Sequence, residues 1–371
     1  MKRLEAPWLK SAKFDLSLII GPSLISVLVV ILFRESFDQT SNVPLWAWLL
    51  LVLAIDVAHV YSTLFRTYLH SHEAKENRTL LTLIPIGVWL VGVGLYSISA
   101  ITFWSALAYV AVFHFMRQQY GFMRLYSRND RSDKLAQWSS TLVIYLATLY
   151  PVIYWHSHQP RNFHWFIDGD FVTGLPSWVS QVTGVIYIAA ALFYFVNEFK
   201  NAFSNRQAFN VPKNVLIVGT MASWYFGIVH FNGDMAFTVT NIVSHGIPYM
   251  ALVWLYGERQ TLREDSPRVF GKLNYSVFFS KLTFPLFIGV LLILAYIEEG
   301  LWAGFVWRDH LSVFGPLAAL PPITAPDTLT WLIPLLTLPQ ATHYVLDGFI
   351  WRMKDSDANW QKVLFRKGSN V

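Results

Sequence analysis

The chain has 371 residues, of which 54% are hydrophobic, 16% aromatic and only 14% charged. That is too little polar surface for a water-soluble globule, in which about a quarter of residues are charged. The absence of Cys excludes disulfides, Cys-ligated zinc, iron–sulfur clusters, haem-thiolate and a Cys nucleophile. The formal net charge of +5 fits Lys and Arg gathered on one side of a membrane better than it fits nucleic acid.

A helix needs about 20 apolar residues to cross about 30 Å of hydrocarbon. Ten stretches qualify, at about 15–34, 44–66, 80–98, 101–123, 135–155, 176–197, 213–231, 235–256, 275–296 and 328–351. Asn42-Val43-Pro44, Gly174-Leu175-Pro176, Val211-Pro212 and Pro321-Pro322 punctuate them. The first stretch lacks a small-residue cleavage site and reads as a retained helix. With the N-terminus inside, 25 of the Lys and Arg fall on inner segments. Only Arg34, Arg161 and Arg308 fall outside. This asymmetry predicts a single all-α polytopic membrane domain over 1–371, with both termini on the cytoplasmic side of the cell's inner membrane. The 16 Trp and 17 Tyr suit interfacial belts. The longest non-spanning stretches, 156–175 and 297–327, read as outer caps, with a share in a substrate entrance as the alternative.

Ionisable side chains at membrane depth are costly and mark function by default. In the second span Asp56, His59, Thr63, Arg66 and His70 follow at intervals of 3, 4, 3 and 4, a single helical face. Asp56, one turn before His59, is placed to orient its ring. The fourth span carries His114, then Arg117 and Gln118. The seventh and eighth contain His230 and Asp234, followed by Asn241, His245 and Tyr249 four apart on one face. The tenth carries His343 and, one turn later, Asp347, with Arg352 at the inner boundary.

His59, His114, His245 and His343 thus come from four helices at comparable depth. Imidazoles without thiolate suit Fe, Cu, Zn or Ni better than Mg or Ca. The predicted metal ligands are these four, with His230 as a competitor at a different depth. Asp56, Asp234, Asn241, Tyr249 and Asp347 are the supporting partners. His70 shares the polar stripe at the inner interface. Arg66, Arg117 and Arg352 are candidates for a lipid head group, their simpler role being topology. His156, His158, His164 and His310 read as outer-loop residues. No Walker loop, GxSxG elbow or nucleotide fingerprint is present, and the clustered His boxes of desaturases are missing.

Four short segments carry a resemblance. DVAH (56–59), HFMRQQYGF (114–122) or alternatively HFNGD (230–234), NIVSHGIPY (241–249) and TLPQATHYVLDGFIWR (337–352) resemble the elements of the bacterial and archaeal membrane β-carotene dioxygenases, the bacterio-opsin-related-protein-like family. The resemblance covers well under a third of the chain. The early His lacks the family's Pro-His-Gly context, and Tyr249 stands where the family has a second His. It implies non-haem iron held by His59, His114, His245 and His343, O₂ as co-substrate, and an isoprenoid or other lipid as substrate, carotenoid cleavage being the named case. Two alternatives belong to other classes: a proton-coupled transporter or channel using the intramembrane His, Asp and Arg, and a haem electron-transfer protein.

Overall fold

The computed structural model describes residues 7–37, 43–130, 133–203, 209–262, 266–269, 272–352 and 359–365. Of the Lys and Arg counted above, Lys2, Arg3, Arg131, Arg206, Arg263, Lys354, Arg366 and Lys367 lie outside them, as does Asn42. The described chain is helical. Its one sheet is a two-residue ladder pairing Arg268 with Asn274 and Val269 with Leu273.

In chain order the long helices are α1 (Ala12–Leu32), α2 (Leu45–Arg66), α3 (Arg78–Ile98), α4 (Ala100–Tyr126), α5 (Lys134–Ser157), α6 (Ser177–Phe203), α7 (Val211–Trp224), α8 (Asp234–Gln260), α9 (Phe284–Trp307), α10 (Pro326–Leu336) and α11 (Leu338–Ile350). Six of them, α1, α2, α3, α4, α6 and α9, are long and apolar enough to cross a membrane. In α3 only 17% of the apolar window is buried, and Leu83, Ile86, Leu90 and Val91 face outward. Such a surface is stable against lipid and costly in water, which points to a membrane protein.

The other four expected spans depart from that rule in two ways. α5 and α8 are long enough but carry Ser, Thr, Tyr and His along their length. The remaining two are interrupted. α7 passes into a π-helical turn at Tyr225–His230. The tenth stretch divides into α10 and α11 at Thr337, where Pro339 in the first turn of α11 lacks the N–H that a continuous helix would use.

The ninth expected span, 275–296, is displaced. Residues 275–277 form a 3₁₀ turn, and the helix begins only at Phe284, with Pro285 in its first turn. It then runs on through Glu298 and Glu299, two charges that read in the sequence as the start of an outer loop.

The chain divides into two compact units. The first comprises 1–43 and 115–248. Its α5 and α6 pack through Leu146, Ala147, Tyr187 and Ala190. In the same unit, Trp155, Phe163 and Phe237 meet edge-on and stacked. A cavity of about 340 Å³ there is lined by Trp155, Gln159, Phe163, His164 and Asp168. Burial pushes the neighbouring Asp170 carboxyl up, while the N–H groups of Phe166 and Ile167, at 2.6 and 3.2 Å, pull it down.

The second unit comprises 44–114 and 249–371. Its core includes Phe65, with Phe278, Phe279 and Phe287 around it at centroid distances of 5.1–5.5 Å. Gly257 lets the Phe279 ring lie directly on α8, where any Cβ would collide with it.

Candidate metal centre

The second unit brings three histidines together. From Ala58 to Arg66 α2 is a regular α-helix, so His59, Thr63 and Arg66 do share a face, and all three are buried. α4 contributes His114 and α11 contributes His343. No ring is more than 4% exposed. The His343 ring lies 5.1 Å from that of His59 and 4.6 Å from that of His114, centroid to centroid. Each offers a ring nitrogen, and these nitrogens lie within 4.8 Å of one another.

Around them are oxygen groups from the same unit. Thr63 Oγ1 is 2.7 Å from His343 Nδ1 and 2.9 Å from the Tyr249 hydroxyl. That hydroxyl donates to Asp347 Oδ1 at 2.6 Å. The Trp351 indole N–H reaches the same hydroxyl at 3.4 Å. Asp347 faces two of the rings: Oδ1 is 3.7 Å from His343 Nδ1 and Oδ2 is 3.9 Å from His114 Nδ1. These spacings orient without being hydrogen bonds. Asp56 lies 3.7 Å from His59 Nδ1. It belongs to a π-helical stretch, Trp48–Val57, and its side chain is 23% exposed, so α-helical spacing overstates how squarely it shares the His59 face.

The donor set fits a transition metal. It consists of neutral nitrogen with no thiolate, and His343 Nε2 is buried without a hydrogen-bond partner among the described residues. An orphaned imidazole nitrogen in an apolar interior is costly, and a metal ion removes that cost.

His245 belongs to the first unit. It is fully buried on α8, one turn before Tyr249, and its ring stacks on Phe115 at 3.5 Å. Its carbonyl accepts from Gln118 Nε2 at 2.9 Å. Asn241 donates to the Phe237 carbonyl, and Asp234 accepts from Thr238 in the first turn of α8. His230 is exposed and packs against Phe226 and Phe231. His70 caps the short helix Ser71–Glu76 by accepting from Glu73 N.

The three arginines differ. Arg66 is buried and enclosed: it pairs with Glu73 at 2.6 Å, donates to the Ile350 carbonyl, and lies over Tyr256 and Trp351. Arg117 donates to the Tyr145 hydroxyl and lies over Tyr120. Arg352 is exposed. Of the histidines read as outer-loop residues, His156 and His158 bond back to carbonyls of α5, and His310 packs at a tilt against Trp48.

Three participants escaped the sequence reading. Tyr344 packs its ring 4.9 Å from His114. Trp351 reaches Tyr249 from the end of α11. Glu298, on α9, is buried with Tyr61 and Trp302 as its hydrogen-bonding neighbours. The signal for Glu298 was the apolar run that resumes after Gly300.

No family model, curated protein or solved structure matches this chain.

Proposed function

We propose that the protein is a membrane-embedded metal enzyme, most simply a non-haem iron oxygenase, acting on an apolar substrate dissolved in the lipid. The observation that carries this reading is the meeting of His59, His114 and His343 in a buried interior, with His343 Nε2 unpartnered. His245, one turn from Tyr249 on the same helix, is the candidate fourth ligand. When bound, iron supplies the electrons and the open coordination positions that O₂ chemistry requires. The protein's own residues hold the imidazoles, fix their orientation through oxygen partners, and exclude water. The motif resemblance favours an isoprenoid or other lipid substrate, with carotenoid cleavage as the named case. Ten spans, with both termini on the cytoplasmic side of an inner membrane, are part of the same reading. They rest on the distribution of Lys and Arg.

The test is elemental analysis of detergent-purified protein, with an absorption spectrum of the same sample. One or two irons per chain without a Soret band, lost in alanine variants of the four histidines, would support the oxygenase. A metal-free protein, or one whose metal survives all four changes, would overturn it. A Soret band would assign haem instead. One observation favours a second reading, a proton-coupled transporter. Glu298 is a buried carboxylate on a helix apolar enough to span a membrane, and its Oε2 has no partner among the described residues. Proton-coupled solute flux in vesicles, abolished by Glu298→Gln, would select it.

A further inference from the structure

The oxygen groups beside His343 form an ordered chain, and the direction of every hydrogen bond in it follows from counting protons. A carboxylate accepts and does not donate. The Tyr249 hydroxyl gives its single hydrogen to Asp347 Oδ1, at 2.6 Å. With its hydrogen committed, Tyr249 can only accept from its other neighbours. The Trp351 N–H can only donate, which agrees with that polarity. Thr63, 2.9 Å from Tyr249, must then spend its own single hydrogen on the Tyr249 oxygen. That leaves the Thr63 oxygen as the acceptor for His343 Nδ1 at 2.7 Å. The proton on His343 consequently resides on Nδ1, and the lone pair on Nε2, the buried atom with no partner among the described residues.

We infer that Thr63 and Tyr249 are positioning residues. Together they link Asp347 to His343 through two hydroxyls and fix the His343 tautomer that presents Nε2 as a ligand. The ligand role of Nε2 rests on the metal-enzyme reading above, whereas the tautomer does not. Asp347 lies 3.7 Å from His343 Nδ1, too far for a good direct bond. The usual carboxylate–histidine pairing is thus lengthened here, by way of Tyr249 and Thr63. The three participants come from three helices: Thr63 from α2, Tyr249 from α8 and Asp347 from α11. The lock therefore closes only when these segments are assembled.

The experiment uses full-length, metal-free protein in nanodiscs with ¹⁵N-labelled histidine. Solid-state NMR reads the tautomer, with the His343 signals assigned by their loss in His343→Gln. A Co²⁺ titration followed by absorption reads affinity. Wild type should show His343 protonated at Nδ1 alone. In Tyr249→Phe the Thr63 hydrogen loses its acceptor and can turn toward Nδ1, so a mixture of tautomers should appear and Co²⁺ affinity should fall about 10- to 100-fold. Thr63→Val should lower affinity similarly, and Thr63→Ser, which keeps the hydroxyl, should restore both readouts. Should Thr63→Val fail to fold, Tyr249→Phe, which removes one oxygen and no carbon, carries the test. A wild-type His343 protonated at Nε2 would overturn the inference, as would a tautomer and an affinity unmoved by Tyr249→Phe. A correct tautomer in a protein that takes up no Co²⁺ would uphold the proton chain and sink the metal enzyme.

Discussion

Each unit buries a polar group of side chains, and the two groups are built on opposite principles. In the first unit Lys213 holds Asp130 and Glu198, each at 2.9 Å, and Asn210, Asn214 and Tyr194 take up further oxygens and amides. Donors and acceptors there close on one another. In the second unit, three imidazoles, two hydroxyls and Asp347 leave His343 Nε2 over. A buried network that satisfies itself acts as a fastening. One that ends on an unpartnered imidazole nitrogen leaves an atom that could hold a metal ion. Burial and polarity alone would have given the two groups the same significance, and it is the balance of donors and acceptors that separates them.

The most severe way to break this contrast is to remove the candidate ligands. His59→Ala, His114→Ala and His343→Ala should each abolish or sharply reduce metal content per chain by elemental analysis, while Lys213→Met should leave it intact. The reverse holds for stability. Lys213→Met strands two carboxylates and should cost about 3 kcal/mol. That is the low end for losing one partner of a buried pair, because Asp130 remains partly exposed. Denaturant unfolding in detergent checks it, and adding Glu198→Gln should recover part of the loss. Gly257→Val drives a side chain into the Phe279 ring and should destabilise by about 2 kcal/mol without altering the metal:protein ratio of the folded fraction. Smaller still is Tyr68→Phe, which removes a hydroxyl bond of 2.8 Å to the Leu81 carbonyl and should cost about 1 kcal/mol in the same assay. His230→Ala, on an exposed ring, should shift stability by no more than about 0.5 kcal/mol and leave metal content unchanged. A metal loss there would break the assignment of the buried histidines as the site.

The all-helical fold was legible because a long apolar run has few alternatives in lipid. The ends of those runs were less so. Glu298 and Glu299 suggested a loop, since two adjacent carboxylates are expensive at that depth, and only the surrounding fold shows what shelters them. The start at Phe284 was missed for the opposite reason: Val277, Phe278 and Phe279 look like a helix but fold as a turn that buries Phe278 and Phe279 against Phe65. For the site, the stripe His59, Thr63, Arg66 was readable from spacing, because that part of α2 is a true α-helix. The partnership of Thr63 with His343 was not, since 280 residues separate them and no periodicity links distant segments. Nor could spacing separate Arg66, enclosed by Glu73 and two aromatic rings, from Arg352, which is exposed.

The π-helical stretch Trp48–Val57 lies immediately upstream of the turn of α2 that carries His59. Its hydrogen bonds close one residue later than those of an α-helix, so the same axial distance holds surplus chain. That surplus is slack. Deleting one residue between Leu49 and Leu53 can be absorbed by closing a π turn to an α turn, so that Trp48 keeps its place while His59 and Thr63 keep their register. Such a deletion should retain metal uptake, whereas the same deletion between Val60 and Ser62, in the taut α-helical segment, should abolish it. The helix that carries His59 is thus insulated from changes of length on one side and intolerant of them on the other.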